Sequence, residues 1–376
     1  MSESSSAPVK RMPSGLRRAA AKLFAVCMHC LGIWRLVYVV RRVVRRKPLL
    51  AVFTFHRIVA DGADREHLVT YDKGTPAAVF DQQISGIKKF YEILALDQFI
   101  EVLEGKRTPA RDSALITFDD ADSEFAGQAF PALQKHSASS VVFVPTDFVD
   151  SPKKFWHLRV SNAFHRLSDS TWPLVKELSR QFPAGKSTWL EGLDYRKRED
   201  LATACWRFNI ALDRMQEAEI EEFVDRLEAI TGGEYTLGIT TMSWIEIKEM
   251  HRCGVYMESH SASHRKLGRL DLETVRTELG SSKSMLEREL GKTVCAICYP
   301  AGSFDERVVK SAEELGYRVG FTTRFGFIDF PTNGSDRFAL TRFDMRGGDK
   351  FEIERFLGEL PIRRFRKGWP VRGNSE

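Results

Sequence analysis

Ala114-Leu115-Ile116-Thr117-Phe118-Asp119-Asp120-Ala121-Asp122 joins a short apolar, β-branched run to three carboxylates within four positions. A run of this kind reads as a buried strand, and acids at its end mark where a site would be built. On an extended strand end, adjacent aspartates project to opposite sides, so Asp119 and Asp120 cannot share one job. One can ligate a metal while the other handles a proton. A solvated acidic turn would leave the same trace, so a partner elsewhere must decide.

Outward from this stretch, strands and helices alternate. Leu49–Phe55 reads as a first buried strand ending at His56-Arg57. Phe80–Tyr91 and Leu96–Glu104 read as helices, with a short strand at Ile93–Leu96 between them. Gln128–His136 is helical, and Ser140–Pro145 is the next strand. Such alternation implies a parallel sheet or a barrel. The rhythm breaks over residues 150–240, a segment carrying Trp156, Trp172, Trp189 and Trp206, where four helical patterns (156–167, 172–181, 196–212 and 216–231) appear without a convincing strand. This is a helical insertion of the kind that shapes access to a site. Alternation resumes with a helix from Ser243 and the strand Val255–Glu258. Helix Leu272–Leu290, strand Val294–Tyr299, helix Glu306–Leu315 and strand Arg318–Thr322 follow. A last extended stretch, Phe338–Met345, precedes a basic C-terminal helix.

The 376 residues carry a net charge of +5, unevenly spread. Residues 1–47 hold eleven Lys/Arg against Glu3 alone, and residues 361–376 hold five against Glu376, so the body between them is at −9. An acidic body speaks against a nucleic-acid-binding domain, while a basic end suits an anionic membrane surface. Residues 1–15 read as disordered. Residues 16–47 read as a basic amphipathic helix: Leu16, Ala20, Leu23, Cys27, Leu31 and Trp34 share one stripe, and Arg41, Arg42, Arg45, Arg46 and Lys47 follow it. Its uninterrupted apolar run is shorter than the ~20 residues a bilayer span needs. It is therefore expected to lie in the membrane interface, with core-packing and spanning helices as the alternatives. The six cysteines are dispersed. Cys295 and Cys298 lie three apart on a strand and face opposite ways, which does not suit chelation. Unpaired thiols and the lack of a cleavage site after the apolar run point to the cytoplasm, at the inner face of its membrane.

Each polar cluster follows an apolar strand: His56, Asp119/Asp120, His260/His264 and Pro300-Ala301-Gly302. In a βα barrel these strand ends share the face on which active sites form. His260 and His264, four apart, can turn both imidazoles to one side of a helical turn. With a carboxylate they make a two-His, one-carboxylate set, suited to a divalent metal in hydrolysis.

Thr117-Phe118-Asp119-Asp120, His260-Ser261-Ala262-Ser263-His264 and Tyr299-Pro300-Ala301-Gly302 resemble, in order, three motifs of the polysaccharide deacetylase family, also termed the NodB-homology or carbohydrate esterase 4 family. The resemblance covers about 49–145 and 240–345. It implies an α/β fold, a distorted TIM-like (β/α)7 barrel over residues 48–360, interrupted by the insertion 150–240 and followed by a basic tail, 361–376. It implies hydrolysis of N-acetyl or O-acetyl groups on a poly-, oligo- or lipid-linked saccharide, with a divalent metal of the Zn2+ type. Asp120, His260 and His264 would hold the metal, Asp119 would be the general base, and the backbone N–H of Ala301 would stabilise the oxyanion. Asp122 lies outside the metal set and reads as a cap or supporting residue. Two departures stand out. Cys298 occupies the place of an arginine that orients the base, and no histidine follows His264 to serve as general acid. Asp119 itself, His56 or water must then return the proton, and Arg342 is the candidate to replace the missing cation. A catalytically degenerate binding protein on the same fold, or an amidohydrolase of a non-sugar amide, are the competing readings.

Overall fold

The computed structural model describes residues 48–63, 74–182, 189–332 and 334–345. The expected disordered leader, the 16–47 helix, the C-terminal helix and the 361–376 tail lie outside these residues. Among the described residues no helix is long and apolar enough to cross a membrane.

The strands in chain order are β1 (Leu50–Phe55), β2 (Ile58–Val59), β3 (Thr75–Pro76), β4 (Glu92–Ile93), β5 (Ser113–Phe118), β6 (Val141–Val144), β7 (Tyr256–Ser259), β8 (Ala296–Cys298), β9 (Val319–Phe321) and β10 (Phe343–Asp344). The helices are α1 (Ala77–Phe90), α2 (Leu96–Leu103), α3 (Phe130–Lys135), α4 (Trp156–His165), α5 (Trp172–Ser179), α6 (Arg198–Asp213), α7 (Glu217–Thr231), α8 (Trp244–Arg252), α9 (Leu272–Leu290) and α10 (Glu306–Glu314).

Seven strands run in the order β10-β1-β5-β6-β7-β8-β9, with β4 paired on β5, and each pairing is parallel. β1 and β5 are buried at every position, as their unbroken apolar runs require of strands covered on both faces. Val52, Leu115, Phe143, Ala296 and Phe321 belong to one buried core cluster contributed by these strands. The last strands nearly close the ring. Leu340 bridges Phe321 of β9, and three residues later Phe343 pairs with Phe53 of β1. The expected extended stretch 338–345 is thus regular strand only at β10, and a short 3-10 turn, Gly334–Phe338, runs up to its first residue. The architecture is the expected distorted (β/α)7 barrel.

The insertion leaves the barrel after β6 and returns beside the carboxylate turn, where Ser123 N–H donates to Thr240 O (2.9 Å) and Met242 N–H to Ala121 O (2.8 Å). Helices α4 to α7 bury a core of their own, with Val160, Phe164, Val175, Phe208, Leu212 and Val224 at its centre. Helix α9 is cut where its sequence says: Asp271 caps its first turn through Thr274 N–H, and Gly291 takes the left-handed conformation at its end.

Candidate metal and catalytic site

β5 stops at Phe118, and the chain turns at once, with Asp120 at φ 71° and Ala121 at φ 50°. The divergence of the two aspartates comes from this left-handed turn rather than from strand pleat. Asp119 points to the barrel axis and Asp120 to the loop after β7. That loop is also not the helical turn expected from the i, i+4 spacing. Residues 260–266 are irregular, with Ser261 at φ 60° and His264 at φ 59°. Such backbone costs a non-glycine residue about 1–2 kcal/mol and persists only where contacts enforce it. Here Glu278, buried on α9, accepts from the N–H groups of Ala262 (3.1 Å) and Ser263 (2.8 Å) and from the Ser263 hydroxyl, while Ser261 Oγ accepts from His264 N–H (3.1 Å). Sequence reading missed Glu278. Its signal was an acid in the buried stripe Val275, Glu278, Leu279, Ser282.

The turn and the loop bring Asp120, His260 and His264 together, with one ligand atom from each lying within 4.8 Å of the others. His260 Nδ1 is 2.7 Å from the carbonyl of Cys298. A carbonyl can only accept, so Nδ1 carries the proton and Nε2 presents a lone pair. That atom lies 3.4 Å from Asp120 Oδ1, and His264 Nε2 lies 3.2 Å from the same oxygen. Asp120 Oδ1 is buried and has no hydrogen bond. Two imidazole nitrogens and a buried carboxylate oxygen converging on one point fit a cation, so the residues present suit the divalent metal that the sequence implied. Burial would lower the His260 pKa, but Cys298, Asp120 and Asp119 around it push it up.

Asp119 is 4% exposed and Arg342 3%. Arg342 grips the carboxylate through both oxygens, Nη1 to Oδ1 at 2.7 Å and Nη2 to Oδ2 at 2.8 Å, and is itself held by Thr54 Oγ1 (2.9 Å) and Thr322 O (2.8 Å). Burial would raise the Asp119 pKa, yet the guanidinium overrides it and holds the carboxyl well below the usual carboxylate range. Cys298, standing where an arginine was expected, offers only a thiol at 3.6 Å. His56 lies across the same carboxylate, its Nε2 3.9 Å from Oδ2, and its buried Nδ1 has no hydrogen-bond partner. Ala301, at φ 53°, lines the cleft. Its N–H makes no hydrogen bond among the described residues, as an oxyanion donor requires. Gly302 packs so closely that a Cβ there would fall 2.2 Å from Thr323 Oγ1. Asp122 pairs with Arg57 (3.0 Å) and accepts from Glu124 N–H (3.0 Å); burial lifts it to about 6. It supports the turn and takes no part in the metal set.

These groups line one cleft of about 810 Å³, whose far wall is built by α4 and α6 of the insertion. The insertion also grips the histidine loop. Glu217 Oε1 accepts from Lys266 N–H (3.2 Å), Lys266 Nζ meets Asp213, and Arg269 donates to the carbonyls of Asp213 (2.6 Å) and Met215 (3.2 Å).

A family model described as polysaccharide deacetylase matches residues 106–320. YxkH of Bacillus subtilis (strain 168), a candidate polysaccharide deacetylase, is 33% identical over 81 residues, covering 22% of this chain and 29% of that protein. The chain thus aligns with less than a third of the length of this curated relative. Among solved structures, the deacetylase PplD of Streptococcus pyogenes in complex with acetate is similar at a TM-score of 0.50 and 17% identity, over 80% of this chain and 93% of that one. A polysaccharide deacetylase of Bacillus cereus gives 0.51 and 18%, over 83% and 69%, and IcaB of Ammonifex degensii gives 0.50 and 14%, over 82% and 97%. At these identities the structural likeness speaks for the fold alone. The match over most of the barrel and insertion decides the family: the chain belongs to the polysaccharide deacetylases.

Proposed function

We propose that the protein is a metal-dependent deacetylase that hydrolyses N-acetyl groups, or O-acetyl groups, on a saccharide. The observation that carries this reading is the acceptor cluster Asp120, His260 and His264 beside an ionised, clamped Asp119 on the floor of one cleft. Asp120, His260 and His264 would hold a divalent cation, Zn2+ best matching two imidazoles and a carboxylate. When bound there, such an ion polarises a carbonyl and lowers the pKa of water. The rest falls to the chain. Asp119 is the general base that takes a proton from the attacking water. Its two oxygens each give one lone pair to Arg342 and keep another for that proton. Arg342 fixes the direction of the carboxylate and keeps it ionised. Ala301 N–H donates to the oxygen that gains charge as the carbonyl carbon becomes tetrahedral. His56, 3.9 Å from Asp119 Oδ2, is placed to pass a proton to the leaving amine. A degenerate binding protein has no need of an intact ligand set and a clamped base, and both are present.

The basic amphipathic pattern of residues 16–47 supports a place at an anionic membrane surface on the cytoplasmic side, with a lipid-linked or nascent saccharide as substrate. Acetate release from N-acetylated and O-acetylated oligosaccharides tests the activity. Asp119→Asn is expected to abolish release while retaining metal. Full activity in that variant would contradict the assignment of the base.

A further inference from the structure

Helix α6 of the insertion has two faces. Ala204, Cys205, Phe208 and Leu212 lie in the insertion's own core. Ala202, Trp206, Asn209, Ile210 and Asp213 line the cleft instead. Trp206 is 57% exposed and is no part of that core. Among the described residues it is the one exposed large apolar side chain that also borders the cleft. Trp206 therefore offers an open aromatic face inside the cleft, in reach of a bound ligand.

The start of α4, on the same wall, is aromatic as well, and it begins beside a candidate metal ligand. The ring of His264 meets Phe155 edge-on at 4.9 Å, Phe155 stacks on His157 at 5.4 Å, and His157 meets Trp156 at 5.8 Å. Phe155, Trp156 and His157 all line the cleft. A row of rings therefore runs from the metal site outward along the insertion. Flat rings with electron-rich faces suit the apolar C–H face of a pyranose, whose hydroxyls stay at its rim in water. A lipid chain would instead call for a tunnel of aliphatic side chains. The cleft, about 810 Å³, lies in the upper part of the range for small-molecule sites and is larger than one acetylated sugar requires.

We infer that the insertion builds a sugar-stacking subsite on Trp206 and Trp156. The substrate is then a saccharide of several rings, one at the metal and the next ones on the insertion, and the enzyme acts within or along a chain rather than on a monosaccharide. This inference rests on the deacetylase reading. It makes Trp206 a specificity-determining residue.

The test compares the N-acetylglucosamine monomer with β-1,4- and β-1,6-linked oligomers of two to five rings, by acetate release and by binding to the zinc-loaded Asp119→Asn protein. Acetate release per enzyme at low substrate should rise at least about tenfold from monomer to tetramer, and Trp206→Ala should remove most of that gain through KM, with Trp206→Phe restoring part of it. A melting temperature unchanged by Trp206→Ala is expected of an exposed side chain and separates lost contact from lost fold. Chain-length preference unaltered in Trp206→Ala, or binding of a polyprenyl phosphate with no oligomer bound, would overturn the inference. Oligomer bound tightly by Asp119→Asn in a Trp206-dependent way, with no acetate released by the wild type, would sustain the subsite and refute the deacetylase reading.

Discussion

Arg342 and Asp119 meet through two parallel hydrogen bonds, 2.7 and 2.8 Å, although 223 residues separate them. The closing segment of the barrel explains how. Between Leu340, bridged to β9, and Phe343, paired to β1, Arg342 has one course open to it, which crosses the gap between the first and last strands. Cys298, at the end of β8, offers that carboxylate only a thiol at 3.6 Å, and the guanidinium comes from the closing segment instead.

Replacing Arg342 by methionine should strand a buried carboxylate. The expected loss is about 3–5 kcal/mol of stability in urea unfolding. The loss in kcat should be about 100-fold with KM little changed, since a misdirected base fails in the transition state rather than in binding. Arg342→Lys keeps the charge but not the two-pronged geometry, and should fall between. A kcat unaffected by either change would remove Arg342 from the site.

Glu278 carries the histidine loop from a helix that never touches the cluster. Glu278→Ala should weaken zinc binding about 10–100-fold, read by competition with a chromogenic chelator, because the second ligand loses its fixed backbone. Glu278→Gln, which can still accept both backbone N–H groups, should restore part of it. Equal affinity in all three proteins would show that the loop holds itself.

Gly302 sets the Ala301 N–H against the cleft. In Gly302→Ala the new methyl meets Thr323 at a backbone of φ +65°, so a loss of about 1–3 kcal/mol and a fall in kcat are expected. Thr323→Gly in the same chain should relieve the contact, though not the backbone strain, and so recover only part of each loss.

Much of this was legible in the sequence. The β-branched runs at 50–55, 113–118 and 141–144, and the capped helix 272–290, declared themselves because burial and local capping decide them. Three strand-end motifs sufficed to find Asp119, Asp120, His260 and His264. The backbone of the site was not legible. Spacing suggested a helical turn for His260 and His264, but the N–H groups of Ala262 and Ser263 donate to Glu278, some fifteen residues on, in a loop with left-handed residues instead. Nor could β2 and β3 be read, being two residues each. Arg342 was legible as a spare cation in an extended stretch, and only the closing of the barrel brings it to Asp119.

The thiols follow from burial. Cys205 and Cys295 are pushed up to about 12 by desolvation, and Cys298 is raised by the same cause, whereas Cys253 is exposed. Peptide mapping after iodoacetamide at pH 8 should show Cys253 modified and these three protected. The unfolded chain ionises its thiols near pH 9 while the folded one does not. It therefore binds fewer protons than the folded chain, and stability should decline as pH rises above about 9.

The most direct test of the account is acetate release from an N-acetylated oligosaccharide, measured on the zinc-loaded protein, after chelation, and after one equivalent of zinc is returned. The account predicts release that is lost on chelation and regained with zinc, and that stays absent in Asp120→Asn. Undiminished release by the chelated protein or by Asp120→Asn would contradict it.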